Sequence, residues 1–284
     1  MRFRALAALC LLIAALAAGR ADAAGSGRVA ALQVALRAHN VYAGAIDGVR
    51  GPGTIAGVRR FQRRHHLTVD GVAGPRTRRA LGRLGRHPLG SRALHSGAVG
   101  WDVSALQFLL AWHGFPSGSF DGGFGSHTDT AVRRFQRWSG LGSDGVAGPA
   151  TLRALRGGVP RSPISVRRPV AGPVGDGFGP RGNRFHAGLD FPAAYGTRVR
   201  AARSGRVVYA GWDSGGFGNL VVIGHVAHVR TFYAHLSSIS VRRGQHVRAG
   251  WTIGRVGATG SATGPHLHFE VHYRGASVNP LSAL

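Results

Sequence analysis

The pattern of apolar and polar positions divides the chain into two parts. Up to about residue 156, apolar residues recur at helical spacing: Leu32 and Leu36, like Leu106 and Leu110, stand four positions apart and share one helix face. From about Phe178 onward, short β-type runs are separated by glycines. The pattern predicts a multidomain chain in which an all-α part precedes an all-β domain, and we expect an antiparallel sheet over residues 175–284.

The all-α part contains one sequence unit twice. Residues 58–63 (Val-Arg-Arg-Phe-Gln-Arg) recur at 132–137, and residues 70–75 (Asp-Gly-Val-Ala-Gly-Pro) recur at 144–149, an offset of 74 positions without gaps. Self-similarity of this kind indicates a tandem duplication. We predict two small three-helix modules: repeat 1 over residues 28–84 and repeat 2 over residues 98–158.

The polar residues of the repeats are interpreted as turns and caps. Thr54 and Thr128 are expected to cap the second helix of each repeat, and Pro75 and Pro149 suit the first turn of the third. None of these side chains looks catalytic. After repeat 2, the chain between Arg156 and Gly175 is rich in Pro, Gly and Arg and lacks hydrophobic periodicity, which predicts a linker over residues 159–174.

The N-terminus has the layout of a secretory signal peptide, predicted over residues 1–23. Arg2 and Arg4 precede an apolar run at 5–18, and a small-x-small site follows at 21–23. A buried helix or a membrane anchor is the alternative, but the run is shorter than the ~20 residues that span a bilayer. The one cysteine, Cys10, lies inside the run, where a lipoprotein anchor is less favoured. We therefore expect export to an extracellular, cell-wall or periplasmic location, with no transmembrane segment after signal removal.

Charge narrows the class of partner. The 284 residues suit two or three domains, and their formal net charge is +25. Because the sequence contains no lysine, arginine carries all of this positive charge. A field of this strength attracts polyanions, among them nucleic acid, an anionic membrane surface and an anionic cell wall. Predicted export disfavours nucleic acid and favours the wall or envelope.

The β domain carries three histidine motifs: His186-x-x-x-Asp190, a separate His235, and His266-x-His268. On a strand alternate side chains share a face, so His266 and His268 can both address one site. A hydrolytic zinc site needs about three ligands from His and Asp/Glu and an open position for water. His186, Asp190 and one histidine of the pair would supply that set.

The repeats resemble the peptidoglycan-binding domain 1 family, a family of small helical wall-binding modules. The resemblance lies in the Leu-Gln, Asp-Gly, Phe-Gln and Asp-Gly-Val-Ala-Gly-Pro motifs. It implies peptidoglycan as the partner and identifies no ligand contacts. Repeat 1 departs at Gly57, where repeat 2 has Ala131, and glycine inside a helix costs about 1 kcal/mol. We therefore expect repeat 1 to be the less stable module or the weaker binder.

The β domain resembles the lysostaphin-type (LytM) metalloendopeptidases. The resemblance rests on the three histidine motifs together with Phe-Gly-Pro-Arg at 178–181, Gly-Phe-Gly-Asn at 216–219 and Thr-Gly-Ser-Ala-Thr-Gly-Pro at 259–265. It implies a Zn²⁺ ion bound by His186, Asp190 and His268, and it makes His235 and His266 the catalytic histidines that do not bind the metal. Glycines at 215–218 and 257–264 are expected to form walls of a substrate groove.

Together these observations predict a secreted zinc endopeptidase that cleaves peptide bonds in the stem peptides or cross-bridges of peptidoglycan. Glu270 could orient a ligand histidine or form an ordinary salt bridge, and His272 has no motif support. The alternative is a non-catalytic wall-binding activator of another hydrolase, against which the intact site residues count. A nucleic-acid-binding protein is suggested by charge alone.

Overall fold

The computed structural model describes residues 25–284, and the predicted signal peptide with Cys10 lies outside the described residues. Within 25–284, six α-helices precede twelve β-strands, and every strand pairing is antiparallel. The predicted fold class, two helical modules followed by an all-β domain, is confirmed. No helix of the described part is long and apolar enough to cross a membrane.

Each repeat contains the three predicted helices, with boundaries that coincide at the 74-residue offset. A 3-10 helix, Gly82–Gly85, follows the third helix of repeat 1. The helices are α1 (Gly27–Ala38), α2 (Pro52–Arg64) and α3 (Pro75–Ala80) in repeat 1, and α4 (Trp101–Trp112), α5 (Ser126–Trp138) and α6 (Pro149–Ala154) in repeat 2. Pro75 and Pro149 begin the third helices as predicted, because the fixed φ of proline suits this position.

The threonine caps predicted for α2 and α5 are wrong. The N-cap residues are Gly51 and Gly125, and Thr54 and Thr128 lie inside the first turn. The Thr54 hydroxyl donates to Val49 O at 3.1 Å and accepts from Gln33 Nε2 at 3.1 Å. The threonines are therefore engaged by a glutamine from the preceding helix instead of capping their own.

Four buried glutamine clusters hold the turns of the repeats. In one of them, Gln62 Nε2 lies 2.7 Å from Asp70 Oδ1 and 3.2 Å from Thr77 Oγ1, while Gly71 N donates to Gln62 Oε1 at 2.9 Å. The same arrangement recurs around three more glutamines, which are Gln33, Gln107 and Gln136. Because each amide satisfies groups on two sides of a turn, the clusters fix the helix connections that propensity alone would leave loose.

The β domain is built on one large sheet with the strand order β12-β11-β7-β6-β5-β9, and β3 pairs with β11 beside this path. A smaller sheet has the order β4-β10-β8, and β1 and β2 form a hairpin. Its strands are β1 (Gly179–Arg181), β2 (Arg184–His186), β3 (Leu189–Pro192), β4 (Arg198–Arg200), β5 (Gly205–Asp213), β6 (Gly218–Gly224), β7 (Val229–Ala234), β8 (Leu236–Ile239), β9 (His246–Val247), β10 (Thr252–Val256), β11 (His266–Tyr273) and β12 (Ala276–Val278).

The predicted linker contains no helix or strand, but its second half packs on the β domain. Val166 and Val170 are buried in the β-domain core, beside residues such as Phe191. Val166 N donates to Ala283 O at 2.8 Å, and Arg167 N donates to Ala202 O at 2.7 Å. This part of residues 159–174 therefore belongs to the β domain and is not a free tether.

The β1–β2 hairpin is held by both repeats. Ile46 N of repeat 1 donates to Gly182 O at 2.8 Å, and Phe120 N, its counterpart 74 residues later, donates to Asn183 O at 2.7 Å. Phe185 packs edge-on against Trp112 of repeat 2, with ring centroids 5.3 Å apart. Because β2 ends at His186, the helical part supports the strand that carries a predicted site residue.

Candidate active site

Strand pairing brings three of the predicted site residues together. In the β3–β11 register Asp190 lies opposite His268, and His186 reaches the same point from the end of β2. Asp190 Oδ1 is 2.8 Å from His268 Nδ1 and 3.1 Å from His186 Nε2, and the two nitrogens are 3.0 Å apart. All three side chains are buried, and their three ligand atoms form a group that can hold a metal ion.

The outward-facing nitrogens of the two histidines are both engaged. His186 Nδ1 lies 2.8 Å from Gly177 O, and His268 Nε2 lies 2.9 Å from Glu270 Oε1. A carbonyl or carboxylate oxygen accepts, so these nitrogens carry the hydrogens and donate them. The lone pairs of the opposite nitrogens therefore converge with Asp190 Oδ1, which is how histidines are oriented in metal sites.

The carboxylates set the protonation of this group when no metal is bound. Burial would raise the pKa of Asp190, but hydrogen bonds from His186, His268 and Arg181 hold it well below its usual range. Burial lowers the pKa of His268, but its bonds to Asp190 and Glu270 outweigh that effect and raise it to about 9. A proton on His268 thus competes with a metal ion for the same lone pair.

The other two predicted residues, His235 and His266, face each other beside this group. Their ring centroids are 4.8 Å apart, and His266 Nε2 is 3.7 Å from Asp190 Oδ1. His235 Nδ1 donates to Thr259 O at 2.8 Å, and His266 Nδ1 donates to Gly264 O at 2.9 Å. Each ring therefore keeps Nε2 as the nitrogen that can accept or give a proton.

The environment of His235 favours the neutral imidazole. Burial is the main reason that the pKa of His235 is lowered to about 4; the nearby His266 and His268 also lower this pKa, while the bond to Thr259 O opposes the shift. Its backbone has φ 62°, an uncommon conformation for a residue other than glycine, and its N–H donates to Phe217 O at 2.9 Å. A neutral imidazole is the form that accepts a proton from a reacting group.

Glu270 and His272 extend the site along β11. Residues 266, 268, 270 and 272 share one face of the strand, and Glu270 bonds both His268 and His272. Burial raises the pKa of Glu270, but its two histidine partners outweigh burial and lower the pKa to about 2. Of the two roles expected for Glu270, the structure favours orientation of His268. His272 was not predicted, and the alternation of side chains along β11 was the signal that could have identified it.

Arg181 contacts the site, but it was assigned no role from the sequence. It donates to Asp190 Oδ2 at 2.7 Å and to Asp176 Oδ2 at 2.8 Å, and so it fixes the second oxygen of Asp190. Its place in the Phe-Gly-Pro-Arg motif at 178–181 was the available signal. Position 188, next to His268, requires glycine, because a Cβ there would lie 2.5 Å from Phe269 O and 2.9 Å from the His268 ring.

The site opens into a cavity of about 800 Å³. Its walls include residues 215–217 on one side and 261–264 on the other, within the two glycine-rich runs that were expected to form a groove. The loops are joined by a bond from Ser261 N to Gly216 O at 2.9 Å. His225 lies elsewhere and bonds Ser204 O and Thr231 Oγ1, while His228 and His246 are exposed.

Comparison with known proteins agrees with this geometry. Residues 184–280 match the model of Peptidase family M23, and residues 25–81 and 100–155 match the model described as "Putative peptidoglycan binding domain". The DD-carboxypeptidase/endopeptidase Mpg of Neisseria meningitidis serogroup B is 50% identical over 99 residues, which are 35% of this chain and 23% of that protein. The murein hydrolase activator NlpD of Escherichia coli is 42% identical over 126 residues, 43% of this chain and 32% of that protein.

Among solved structures, the catalytic domain of the antimicrobial peptidase lysostaphin from Staphylococcus simulans is 37% identical. The match covers 38% of this chain and 89% of that one, with a TM-score of 0.36. This chain spans less than a third of the length of the two curated relatives, at 23% and 32%. Residues 184–280 are therefore a domain of peptidase family M23, and two peptidoglycan-binding repeats precede it.

Proposed function

We propose that this protein is an exported, zinc-dependent endopeptidase that cleaves peptide bonds in the stem peptides or cross-bridges of peptidoglycan. The observation that carries the proposal is the convergence of His186 Nε2, His268 Nδ1 and Asp190 Oδ1, with a histidine pair beside them. Family M23 membership of residues 184–280 and the two wall-binding repeats support it.

The donor set fits zinc. Two imidazole nitrogens and one carboxylate oxygen are the ligands of many catalytic zinc sites, which keep a further position open. Gly177 O and Glu270 hold the outward nitrogens of His186 and His268, as the partners of metal-bound histidines do. When bound here, zinc would supply the Lewis acidity that activates water and polarises a peptide carbonyl.

The remaining histidines would move the protons. With Nδ1 fixed by Thr259 O, neutral His235 can accept a proton at Nε2 from the attacking water. His266, fixed by Gly264 O, can stabilise the developing negative charge or give a proton to the leaving amine. The two loops at 215–217 and 261–264 would hold the peptide between them across this pair.

A second candidate is an activator that binds the wall and recruits another hydrolase. The name of the NlpD relative favours it, whereas the name of the Mpg relative favours an enzyme. The presence of all five predicted site residues in one cavity supports the enzyme, since an activator has no need of a complete metal site.

The test uses the purified exported chain and isolated peptidoglycan. Release of fragments is followed by mass spectrometry with a chelator, with zinc added back, and with His266→Ala beside His246→Ala, an exposed histidine outside the cavity. We expect chelator-sensitive release of new peptide termini, which is lost in His266→Ala and kept in His246→Ala. The new termini identify the bond.

The opposite result is equally clear. A folded, zinc-loaded chain that releases nothing from glycine-bridged walls and nothing from directly cross-linked walls would exclude the endopeptidase. Enhanced lysis when such a chain is added to a separate wall hydrolase would then establish the activator.

A further inference from the structure

One face of repeat 1 is open, while the β domain covers most of the corresponding face of repeat 2 and leaves a smaller cavity of about 250 Å³ beside Phe115, Arg134 and Arg274. In repeat 1 the end of α1, the turn after it and Arg60 of α2 surround a cavity of about 440 Å³. We call this cavity the repeat 1 cleft. Its lining residues are Arg37, Asn40, Val41, Tyr42, Ala43 and Arg60.

The counterpart in repeat 2 is occupied by the β domain. At the 74-residue offset Arg60 corresponds to Arg134 and Asn40 to Gly114. Arg134 Nη2 donates to Gly275 O at 3.1 Å, and Ser277 N donates to Gly114 O at 3.1 Å. Ala276, between these contacts, is fully buried in the core of repeat 2. Repeat 2 thus uses this face to hold the β11–β12 turn.

Repeat 1 cannot make the same contact. A Cβ at Gly114 would lie 2.2 Å from Ser277 O and 2.6 Å from Ser277 N, so the close approach requires glycine. Asn40 has a side chain at this position and is exposed. The difference between Asn40 and Gly114 therefore keeps repeat 1 from making the close contact by which repeat 2 packs on the β domain.

The guanidinium groups of the cleft are held in place by backbone oxygens. Arg60 Nε and Nη2 donate to Val41 O at 3.1 and 2.9 Å, and Arg37 Nη1 donates to Ala43 O and Gly44 O at 3.2 and 3.1 Å. Neither arginine forms a salt bridge with a carboxylate of the described residues. Arginines fixed in this way keep positive charge and further N–H groups for an anionic ligand.

The charge of the two repeats differs in the same sense. Residues 28–84 contain eleven arginines and two aspartates, whereas residues 98–158 contain five arginines and four aspartates. Both aspartates of repeat 1, Asp47 and Asp70, are engaged in its glutamine clusters. Repeat 1 therefore carries a net charge of +9 and repeat 2 of +1, so of the two repeats repeat 1 attracts a polyanion more strongly.

We infer that the repeat 1 cleft is the wall-binding site of this protein, that it binds the carboxylate-bearing stem peptide of peptidoglycan, and that repeat 2 serves to dock the catalytic domain. The apolar walls from Val41 and Tyr42 suit a short peptide beside the two guanidiniums, where a long phosphate polymer would need an extended stripe. The inference rests on the proposed function for the identity of the wall, and it reverses the expectation that Gly57 makes repeat 1 the weaker binder.

The test measures co-sedimentation of the exported chain with peptidoglycan from which phosphate polymers have been removed. The double variant Arg37→Ala/Arg60→Ala is compared with Arg153→Ala/Arg156→Ala, which removes the same charge from exposed positions of repeat 2. We expect the cleft variant to bind at least about tenfold more weakly, since each lost charge-assisted bond costs severalfold or more. The repeat 2 variant should lose less than about threefold.

Arg37→Glu provides a second variant in case the Arg60 contact is needed for folding, because Arg37 bonds only exposed carbonyls. It should weaken binding as strongly as the double variant. Equal losses for the cleft and repeat 2 variants, or none for either cleft variant, would overturn the inference. So would binding to the removed phosphate polymer in preference to the stripped wall.

Hydrolysis of a soluble cross-bridge peptide separates this inference from the proposed function. The cleft variants should cleave it at the wild-type rate, because the cleft is not part of the catalytic cavity. If no form of the protein cleaves the peptide, the enzyme proposal fails, while a selective loss of wall binding in the cleft variants still supports the cleft.

Discussion

Both parts of the molecule bury polar clusters, but the direction of their bonds differs. In the glutamine clusters donors meet acceptors: the Gln62 amide faces the carboxylate of Asp70, and its carbonyl accepts from Gly71 N. In the β domain the donors of His186 and His268 point outward, and their lone pairs converge with Asp190 Oδ1. The first arrangement is complete without another atom, whereas the second is favourable only with a proton or a cation among its lone pairs.

The largest effect expected from this difference is the loss of metal in Asp190→Asn. The amide removes the negative charge and one lone-pair donor, so zinc content at neutral pH should fall below about a tenth of the wild-type value. Wall hydrolysis should fall by more than the roughly 10–100-fold that loss of an outer partner costs. Zinc is measured by elemental analysis, with Asp213→Asn as the matched control outside the cavity.

Circular dichroism decides whether that variant remains folded. A folded Asp190→Asn protein that retains a full equivalent of zinc would show that the converging atoms do not bind the metal. The His186–Asp190–His268 group would then be an ordinary hydrogen-bond cluster, like the glutamine clusters.

Disrupting a glutamine cluster should have the opposite result: lower stability with unchanged metal binding. Gln107→Ala leaves Gly122 N without its acceptor and removes a partner from Asp121 and Thr128, and it also opens a small cavity. We expect a loss of about 2–4 kcal/mol in the free energy of unfolding. Denaturant unfolding of the full chain measures it, and zinc affinity should not change.

Gln245→Ala is the matched control, because the side-chain oxygen of Gln245 accepts from the exposed Arg242 N–H and makes no buried bond. Its loss should stay within about 0.5 kcal/mol. Equal destabilisation by the two variants would mean that the buried clusters contribute no more than a surface bond does.

The sequence predicted features that depend on local pattern. The duplication predicted the helices of both repeats, since identical motifs at a constant offset fold alike. The histidine motifs pointed to five residues, and the structure places all five in one cavity. Prediction from the sequence failed for contacts between residues that are far apart along the chain. Thr54 was wrongly predicted to be a cap, because the local pattern does not show its partner Gln33, which lies 21 residues earlier. The bond from Ile46 N to the β1–β2 hairpin likewise depends on packing between domains. The periodicity of a single sequence does not show which distant residues will contact each other.

Glu270 offers a smaller test, because it acts on the metal through His268. Glu270→Gln keeps the size of the side chain but replaces a buried carboxylate that accepts from His268 Nε2. We expect zinc affinity, measured by competition with a chelator, to fall about 10–100-fold. A purely structural role would instead lower the unfolding temperature of the metal-free protein and leave zinc affinity unchanged.

The smallest expected effect concerns a buried histidine without a carboxylate partner. Burial lowers the pKa of His113 from its ordinary value of 6.5, and the bond to Leu109 O offsets this only in part; the carboxylates around His268 reverse the direction there. Because the unfolded chain then binds the proton more tightly, stability is complete above pH 6.5 and falls below it, until the pH passes the folded pKa. The slope contributed by His113 is at most about 1.4 kcal/mol per pH unit.

Thermal unfolding of the wild type and of His113→Phe between pH 7.5 and pH 5 isolates this contribution. The phenyl ring can keep the edge-on contact with Phe135, whose ring centroid lies 5.4 Å from that of His113. The variant should lose less stability than the wild type as the pH falls, whereas His127→Phe, at an exposed position, should follow the wild type. If His113→Phe and the wild type lose stability in parallel, burial alone does not separate this histidine from the titrating histidines of the surface, and the contrast with His268 would rest on its carboxylates only.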